Sequence, residues 1–521
     1  MKRLLIVLGA LALIALGLIT VLQKQSQQVT DLRSDAADTE KQRIRKFWTL
    51  YNQANADRTS GNLESAVAGF RECLELDSKH ENSLYNLGTS LAELGDYRQA
   101  AATFQRLIEV NPASNRAYSE LGNTLALLAP GALVDFQAAR GAFERSVQIN
   151  PEQAGPFLQL GKLEFNQGDL EAALEHFRVA AGFQSPDGNF LAGYALFSKG
   201  KYSEALEFFR NVLQIHVHEK AIARRGVRSE GDILPVAGRP MSPLEKASLK
   251  SLLFLYWSST HLGGYPPAIP KELQVHKPPQ PSLPFLIRTT TGTWKSRGGH
   301  CLEQLQQAGH VPEGTVVECI VDNFNGDANP DLFILRWRRE AILYLNQGNG
   351  KFSDATMTAG LSGLGWESFS AVFFDYDRDS LPDLLVTSHA PFDEAVRSLL
   401  QTDYKATQHT PRLFRNKGAG RFEETTAQVG LHRSYGTMQG IAADFDGDGW
   451  VDLLLVNGSL DRLRLEPSVV LRNLEGKEFR ELAYLPDFDK PDNFIDATLE
   501  GHNRNGDLVV NLVRNSFFGR P

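Results

Sequence analysis

The chain has 521 residues, room for about three ordinary domains, and its 42% hydrophobic content leaves enough apolar side chains for several buried cores. A formal charge of −8 with no cluster of Lys and Arg argues against a phosphate-backbone partner, so no nucleic acid is expected. Three cysteines are too few for a disulfide scaffold, and the absence of Cys-x-x-Cys-His excludes covalently attached haem.

Lys2 and Arg3 precede an uninterrupted apolar run from Leu4 to Leu22, and the polar Gln23-Lys24-Gln25-Ser26 follows. Such a run just spans a hydrocarbon core, and the leading basic pair puts the N-terminus on the cytoplasmic side. Residues 1–25 are therefore expected to anchor the protein in the inner cell membrane by a single pass, with its bulk in the periplasm or outside the cell. Ala15-Leu16-Gly17 is a small-x-small site, so secretion after signal cleavage is the alternative. Residues 26–46 read as a linker.

A helical repeat follows. Alanine is followed four residues later by phenylalanine at Ala66/Phe70, Ala100/Phe104, Ala139/Phe143, Ala173/Phe177 and Ala205/Phe209, with the phenylalanines 34, 39, 34 and 32 residues apart. Residues at i and i+4 share a helix face, where the small one admits a neighbour and the ring fills the gap. Gly88, Gly122, Gly161 and Gly193 mark a preceding helix, and Pro112, Pro151 and Pro186 stop the second. These positions resemble the tetratricopeptide repeat, a helix-turn-helix unit of 34 residues. The resemblance implies five units over 47–218, stacked as an α-solenoid whose concave groove binds a protein or peptide. The second unit, from Leu84 to Pro112, fits best. The first lacks the glycine and proline, and the third carries an insertion over Leu128–Asp135 that should lengthen its inter-helix turn. At variable helix positions Tyr85, Asn86, Thr89, Ser119, Glu120 and Asn123 are the expected groove residues, although any solvated helix face lies at such positions too. Cys73 reads as a core residue of this region.

Residues 219–264 are expected to cap the stack. Ser242-Pro243-Leu244-Glu245 is a capping box that opens a helix, and Leu252, Leu253, Leu255, Tyr256 and Trp257 supply its apolar face. His216 and His218, just past the last unit, read as surface residues rather than metal ligands. Residues 265–284, rich in proline, form a semi-rigid linker.

From 285 to 521 the pattern changes to short β runs. Three loops share one spacing of oxygen-bearing side chains: Asn323-Phe324-Asn325-Gly326-Asp327-Ala328-Asn329-Pro330-Asp331, Asp375-Tyr376-Asp377-Arg378-Asp379-Ser380-Leu381-Pro382-Asp383, and Asp444-Phe445-Asp446-Gly447-Asp448-Gly449-Trp450-Val451-Asp452. Oxygen ligands at positions one, three, five and nine, with a backbone carbonyl at seven (Asn329, Leu381, Trp450), suit a hard cation such as Ca²⁺. Glycine-turn hairpins alternate with these loops: Asn346-Gln347-Gly348, Asn416-Lys417-Gly418 and the degenerate Asn473-Leu474-Glu475-Gly476. The paired motifs resemble the FG-GAP or VCBS repeat of calcium-binding β-propellers, and the run from Phe352 to Asp377 is similar to the cartilage acidic protein and UnbV-type branch. The resemblance implies a β-propeller, and these residues fit about four blades, fewer than the seven typical of the family.

An EF-hand does not fit, because the twelfth position is Ile334, Val386 or Leu455, each inside a strand, instead of a bidentate Glu. Charge ranks the loops: Asp444 strongest, Asp375 intermediate, and Asn323 weakest, where a metal-free turn held by its own side chains is the open alternative. Asn503-Arg504-Asn505-Gly506-Asp507 looks like a shortened fourth loop. No phosphate-binding glycine loop, Gly-x-Ser-x-Gly or His-Glu-x-x-His occurs, so no enzyme and no small-molecule substrate are expected. Cys301 and Cys319 can pair in an oxidising periplasm. The expected whole is a multidomain α-then-β protein that acts as an assembly scaffold. A calcium-dependent adhesion or carbohydrate-binding module is the alternative, with a polysaccharide-active enzyme a more distant one.

Overall fold

The recurring glycine and phenylalanine of the helical half meet each other. A Cβ at Gly88 would sit 2.6 Å from Phe104 Cε1, at Gly122 2.5 Å from Phe143, at Gly161 2.5 Å from Phe177 and at Gly193 2.6 Å from Phe209. Only a residue without Cβ lets each ring come this close to the neighbouring helix, which is why the two positions recur in phase. All four rings are fully buried.

The computed structural model describes residues 20, 23–26, 40–223, 240–265, 275, 285–292, 297, 299–310, 312–327, 329–348, 350–364, 367–401, 404–406, 408–485, 492–502 and 508–515. They fall into two units, Met1–Leu91 with Ala102–Pro112, and Ala92–Ala101 with Ala113–Pro521. The first unit holds helix α1 (40–59), α2 (Leu63–Leu76) and the greater parts of α3 (Glu81–Glu93) and α4 (Tyr97–Val110). Helix α1 thus begins inside the segment read as linker. Ala66, Phe70 and Cys73 are wholly buried in this unit.

The second unit continues the helix pairs: α5 (Asn115–Ala126), α6 (Phe136–Ile149), α7 (Ala154–Gln167), α8 (Leu170–Gly182), α9 (Pro186–Ser198) and α10 (Tyr202–Ala223). The insertion lengthens the α5–α6 connection to residues 127–135. Helix α11 (Pro243–His261) starts at the Ser242 capping box, with both reciprocal bonds present. Its Phe254 meets Phe190 and Tyr194 edge to face at 5.5 and 5.0 Å. His216 is not a surface residue: it is 1% exposed, and its Nδ1 lies 2.7 Å from Ser248 Oγ on α11.

The expected membrane anchor is not supported. Among the described residues no helix is long and apolar enough to cross a membrane, and most of residues 1–25 lie outside them. A span needs about 20 apolar residues in one helix, whereas the long helices α10 and α11 are interrupted by Glu204, Glu207 and Arg210, and by Glu245, Lys246 and Lys250. A single-pass inner-membrane anchor therefore has no support among the described residues.

The strand-rich part forms three four-stranded antiparallel meanders and one three-stranded sheet. The first meander is β2 (Val316–Asp322), β3 (Asp331–Arg336), β4 (Arg339–Asn346) and β5 (Phe352–Asp354). The second is β6 (Ala371–Phe374), β7 (Asp383–Val386), β8 (Arg412–Asn416) and β9 (Phe422–Glu424). The third is β10 (Thr437–Ala443), β11 (Asp452–Asn457), β12 (Ser468–Asn473) and β13 (Phe479–Leu485). In the last sheet β15 (Leu508–Asn515) lies between β14 (Phe494–His502), antiparallel to it, and β1 (Phe285–Gly292), which runs parallel. The first and last strands of the β region therefore share one sheet. Cys301, in the helix α12 (Gly299–Gln307), is disulfide-bonded to Cys319 of β2. Helix α13 (Phe392–Leu400) follows β7.

In a meander the first and third turns fall at one end and the second at the other. The acidic loops are the first turns and the Asn-Gly hairpins the third, so both motifs occupy the same end of each meander. The opposite end meets helices of the second unit. Trp337 Nε1 donates to Tyr97 Oη at 2.6 Å, Tyr194 Oη donates to the Arg462 carbonyl at 2.7 Å, and Arg462 N–H donates to Asn166 Oδ1 at 3.0 Å.

Candidate metal centres

Each acidic loop is closed by its ninth residue, a fully buried aspartate that begins a strand: Asp331, Asp383 and Asp452. One carboxylate oxygen accepts the N–H of the second loop residue, from Phe324 at 3.0 Å, Tyr376 at 3.1 Å and Phe445 at 3.0 Å. The other accepts the N–H of the hairpin asparagine, from Asn346 at 2.8 Å, Asn416 at 2.8 Å and Asn473 at 2.7 Å. The asparagine amide returns to the carbonyl before the aspartate, Pro330, Pro382 or Val451, and its Oδ1 accepts from the hairpin glycine, Gly348, Gly418 or Gly476. The two sequence motifs are thus one hydrogen-bonded unit.

The asparagines also join neighbouring sheets. Asn473 Nδ2 donates to the Tyr376 carbonyl at 2.8 Å, and Asn416 Nδ2 reaches the Phe324 carbonyl at 3.5 Å. Each bond runs from the hairpin of one meander to the acidic loop of the preceding one.

The first residue of each loop winds the turn. Asp444 accepts from Gly447 and Gly449, both at 2.8 Å. Asp375 accepts from Asp379 and Ser380 at 3.1 and 2.9 Å, and Asn323 from Gly326 and Asp327 at 2.8 and 3.2 Å. The fifth residue accepts from the seventh: Asp448 from Trp450 at 2.9 Å, Asp379 from Leu381 at 3.0 Å and Asp327 from Asn329 at 2.8 Å. Glycine at position six has φ 86° in Gly449, and Ser380 holds φ 70° in its place, a left-handed conformation that disfavours a side chain. In the first loop Asn325 accepts from Asp327 N–H at 2.9 Å and donates to its carboxylate at 3.0 Å.

Two loops bring three carboxylates together, with ligand oxygens all within 4.8 Å: Asp375, Asp377 and Asp383, and Asp444, Asp446 and Asp452. The loop with amides at 323 and 325 forms no such group among the described residues. Burial pushes the Asp383 carboxyl up to about 7 and the Asp452 carboxyl up to about 6. Burial also raises Asp377, whose Oδ1 is enclosed without a hydrogen-bond partner. An enclosed, unpartnered carboxylate oxygen facing two further carboxylates suits a hard divalent cation, so the residues fit the group.

The fifth aspartates turn toward an arginine that spacing did not single out. Arg415 Nη2 donates to Asp379 Oδ2 at 3.0 Å, and its Nε lies 2.7 Å from Asp377 Oδ2. Arg472 repeats this with Asp448 at 2.9 Å and Asp446 at 2.6 Å. Both Nε contacts are ion pairs without hydrogen-bond alignment. Each arginine directly precedes the hairpin asparagine; the first meander, whose third loop residue is the uncharged Asn325, has Leu345 there. Arg378 lies 4.1 Å over the Trp450 ring and donates to the Gly449 carbonyl, joining the second and third loops.

The expected groove residues are half-buried and partly used between helices. Asn86 Nδ2 donates to Asn55 Oδ1 at 3.0 Å and Tyr51 Oη at 3.3 Å on α1. Tyr85 meets the Phe104 ring at 6.4 Å, and Thr89 Oγ1 donates to the Asn86 carbonyl. Ser119 Oγ lies 2.8 Å from Ser146 Oγ on α6, and Asn123 donates to Glu120 at 3.3 Å. The segment Asn503–Asp507 lies outside the described residues.

The FG-GAP-like repeat family matches residues 323–386 and 403–455. Tetratricopeptide repeat families match 49–80, 85–154, 131–189 and 158–216. The chain is therefore a fusion of tetratricopeptide repeats with FG-GAP-like repeats. Similar solved structures include MamA from Desulfovibrio magneticus RS-1, at 21% identity over 35% of this chain and 98% of that one, with a TM-score of 0.29. YrrB, described as a TPR protein with an unusual peptide-binding site, is 24% identical over 34% of this chain and 91% of that one, with a TM-score of 0.27. PilF of Pseudomonas aeruginosa is 15% identical over 42% of this chain and 86% of that one, with a TM-score of 0.31. No curated protein sequence matches the chain.

Proposed function

We propose that this protein is a binding scaffold whose tetratricopeptide units, over 47–218, take a protein or peptide, and whose FG-GAP sheets, over 285–521, are braced by calcium. Residues 219–264 close the helical stack, 265–284 link it to the sheets, and the four sheets form a propeller-like array. The shared sheet of β1 and β15 supports that arrangement, because it ties the beginning of the β region to its end. No catalytic step is assigned to either part.

The observation that carries the calcium reading is the convergence of carboxylates from positions one, three and nine in two separate loops, with Asp377 Oδ1 left unpartnered. Ca²⁺ would be held by Asp444, Asp446, Asp448, Asp452 and the Trp450 carbonyl, and more weakly by Asp375, Asp377, Asp379, Asp383 and the Leu381 carbonyl. Its charge offsets the repulsion among carboxylates two residues apart. Calorimetry of the full chain tests this: millimolar calcium raises the melting temperature over EDTA, Asp452→Asn removes most of the rise, and Asp331→Asn little. Superimposable melts in calcium and EDTA would overturn it. The protein-binding reading fails if crosslinked partners of the full chain are unchanged by Tyr85→Ala with Asn123→Arg.

A further inference from the structure

At the end of the second meander opposite its acidic loop lies a half-open cavity of about 850 Å³. Its wall comes from the turn at Arg338, the segment before β6, the segment after β7, the segment before β8 and the end of β9, with Glu93 of α3 beside them. None of these residues belongs to the metal loops or to the expected groove.

The cationic groups of the wall are already matched. Arg338 lies 2.7 Å from Glu367, Arg412 2.7 Å from Glu424 and His409 2.9 Å from Glu394, and Glu93 also has a partner. Arg412 spends its third nitrogen on the Gly363 carbonyl and Arg338 on that of Ala92. No guanidinium is left to receive a phosphate or carboxylate, and an ammonium would compete with three formed pairs.

The open polar groups are hydroxyls and one carboxylate oxygen. Ser368 is 5% exposed and lines the cavity. Its hydroxyl, like those of Ser388 and Thr410, bonds to no described residue, and a hydroxyl can both donate and accept. Both Arg338 bonds to Glu367 end on Oε1, which leaves Oε2 able to accept. Leu364 and Val386, almost wholly buried in the core, add apolar atoms to the lining.

We propose that this cavity binds a neutral saccharide, its hydroxyls meeting Ser368, Ser388, Thr410 and Glu367 Oε2, and its C–H face lying on Leu364 and Val386. The wall offers both donors and acceptors, and each of its arginines is held by a glutamate, which suits the hydroxyls of a sugar ring better than an anion or a wholly apolar ligand. The inference is independent of calcium.

The test is saturation-transfer NMR on the full chain with glucose, galactose, mannose, N-acetylglucosamine, maltose and cellobiose, beside glucuronate and glucose 6-phosphate as charged probes. At least one neutral sugar is expected to receive saturation, and neither charged probe to compete with it. Ser368→Ala and Thr410→Val should each weaken binding by about 3- to 10-fold, the loss of one neutral hydrogen bond. Calorimetric melts confirm that each variant is folded. The proposal is overturned if no neutral sugar receives saturation from folded protein, if a charged probe binds more tightly, or if both variants bind as the parent does.

Discussion

Replacing Asn473 by alanine should be among the most damaging single changes at the loop end of the sheets. The side chain is 0% exposed. It donates to the Tyr376 carbonyl at 2.8 Å and the Val451 carbonyl at 3.0 Å, and accepts from Gly476 N–H at 2.8 Å. Alanine removes all three bonds and strands the Tyr376 carbonyl in a buried site. With about 1 kcal/mol for each of two partly buried bonds and about 2 for the buried carbonyl, the loss is about 4 kcal/mol. Asn346 holds the same place in the first meander but is only half-buried, with two side-chain bonds, to Pro330 at 2.9 Å and from Gly348 at 3.0 Å. Water can replace both, so Asn346→Ala should cost about 1 kcal/mol. Asn416, whose cross-sheet contact is 3.5 Å long, falls between. Hydrogen exchange with mass spectrometry on the full chain reads each site locally, with calorimetry beside it. Asn473→Ala should speed exchange in both 444–452 and 375–383, because the Tyr376 bond joins two sheets. Equal losses at 473 and 346, or an effect confined to the third meander, would refute the reasoning.

Two further outcomes follow from the same end of the sheets and from the seam opposite. Arg472→Leu should slightly lower the melting temperature in EDTA, since it removes the counter-charge of Asp446 and Asp448, and should enlarge the rise produced by calcium, for which the arginine competes; an unchanged or smaller rise contradicts that role. His389 is held neutral by burial and by the nearby Arg464, its pKa pushed down to about 3, while Nε2 donates to the Gly458 carbonyl at 3.0 Å. The unfolded chain takes up this proton near pH 6.5 and the folded one only near 3, so the stability present above pH 6.5 is lost as pH falls, at up to about 1.4 kcal/mol per unit. Urea midpoints between pH 7 and 5 should therefore fall less steeply in His389→Asn, and identical slopes would contradict the assignment.

The helical half was readable because its periodicity is dictated by contact: a ring at each phenylalanine needs the missing Cβ at each glycine, so both positions recur at almost fixed spacing. The acidic loops were readable for a similar reason, since a turn wound on one aspartate and closed by another tolerates no insertion between them. The asparagine that completes each loop was seen only as a hairpin residue. It follows the closing aspartate by 15, 33 and 21 residues in the three meanders, because the second-to-third-strand connection varies, as with helix α13 in the second. Spacing along the chain carries no trace of a bond made across strands. The burial of His216 is hidden on similar grounds: its place beside Val217 and His218 says nothing of Ser248 on α11, which its ring contacts.

Arg415 and Arg472 show how such a hidden residue can still be recovered from one sequence. Once asparagine is aligned across the three hairpins, the residue before it is Leu345, Arg415 and Arg472, and the residue at loop position three is Asn325, Asp377 and Asp446. Arginine accompanies the carboxylate and is absent with the amide. The arginines sit at 36% and 40% side-chain exposure, where a lone ion pair contributes little to stability. Their value lies in neutralising two aspartates that would otherwise repel within one tight turn. The loop at 323 needs no such partner, because Asn325 and Asp327 satisfy each other by hydrogen bonds within the turn. The weakest of the three candidate metal loops is thus the one whose turn closes on its own side chains, and the two with converging carboxylates are the two that carry a resident counter-charge.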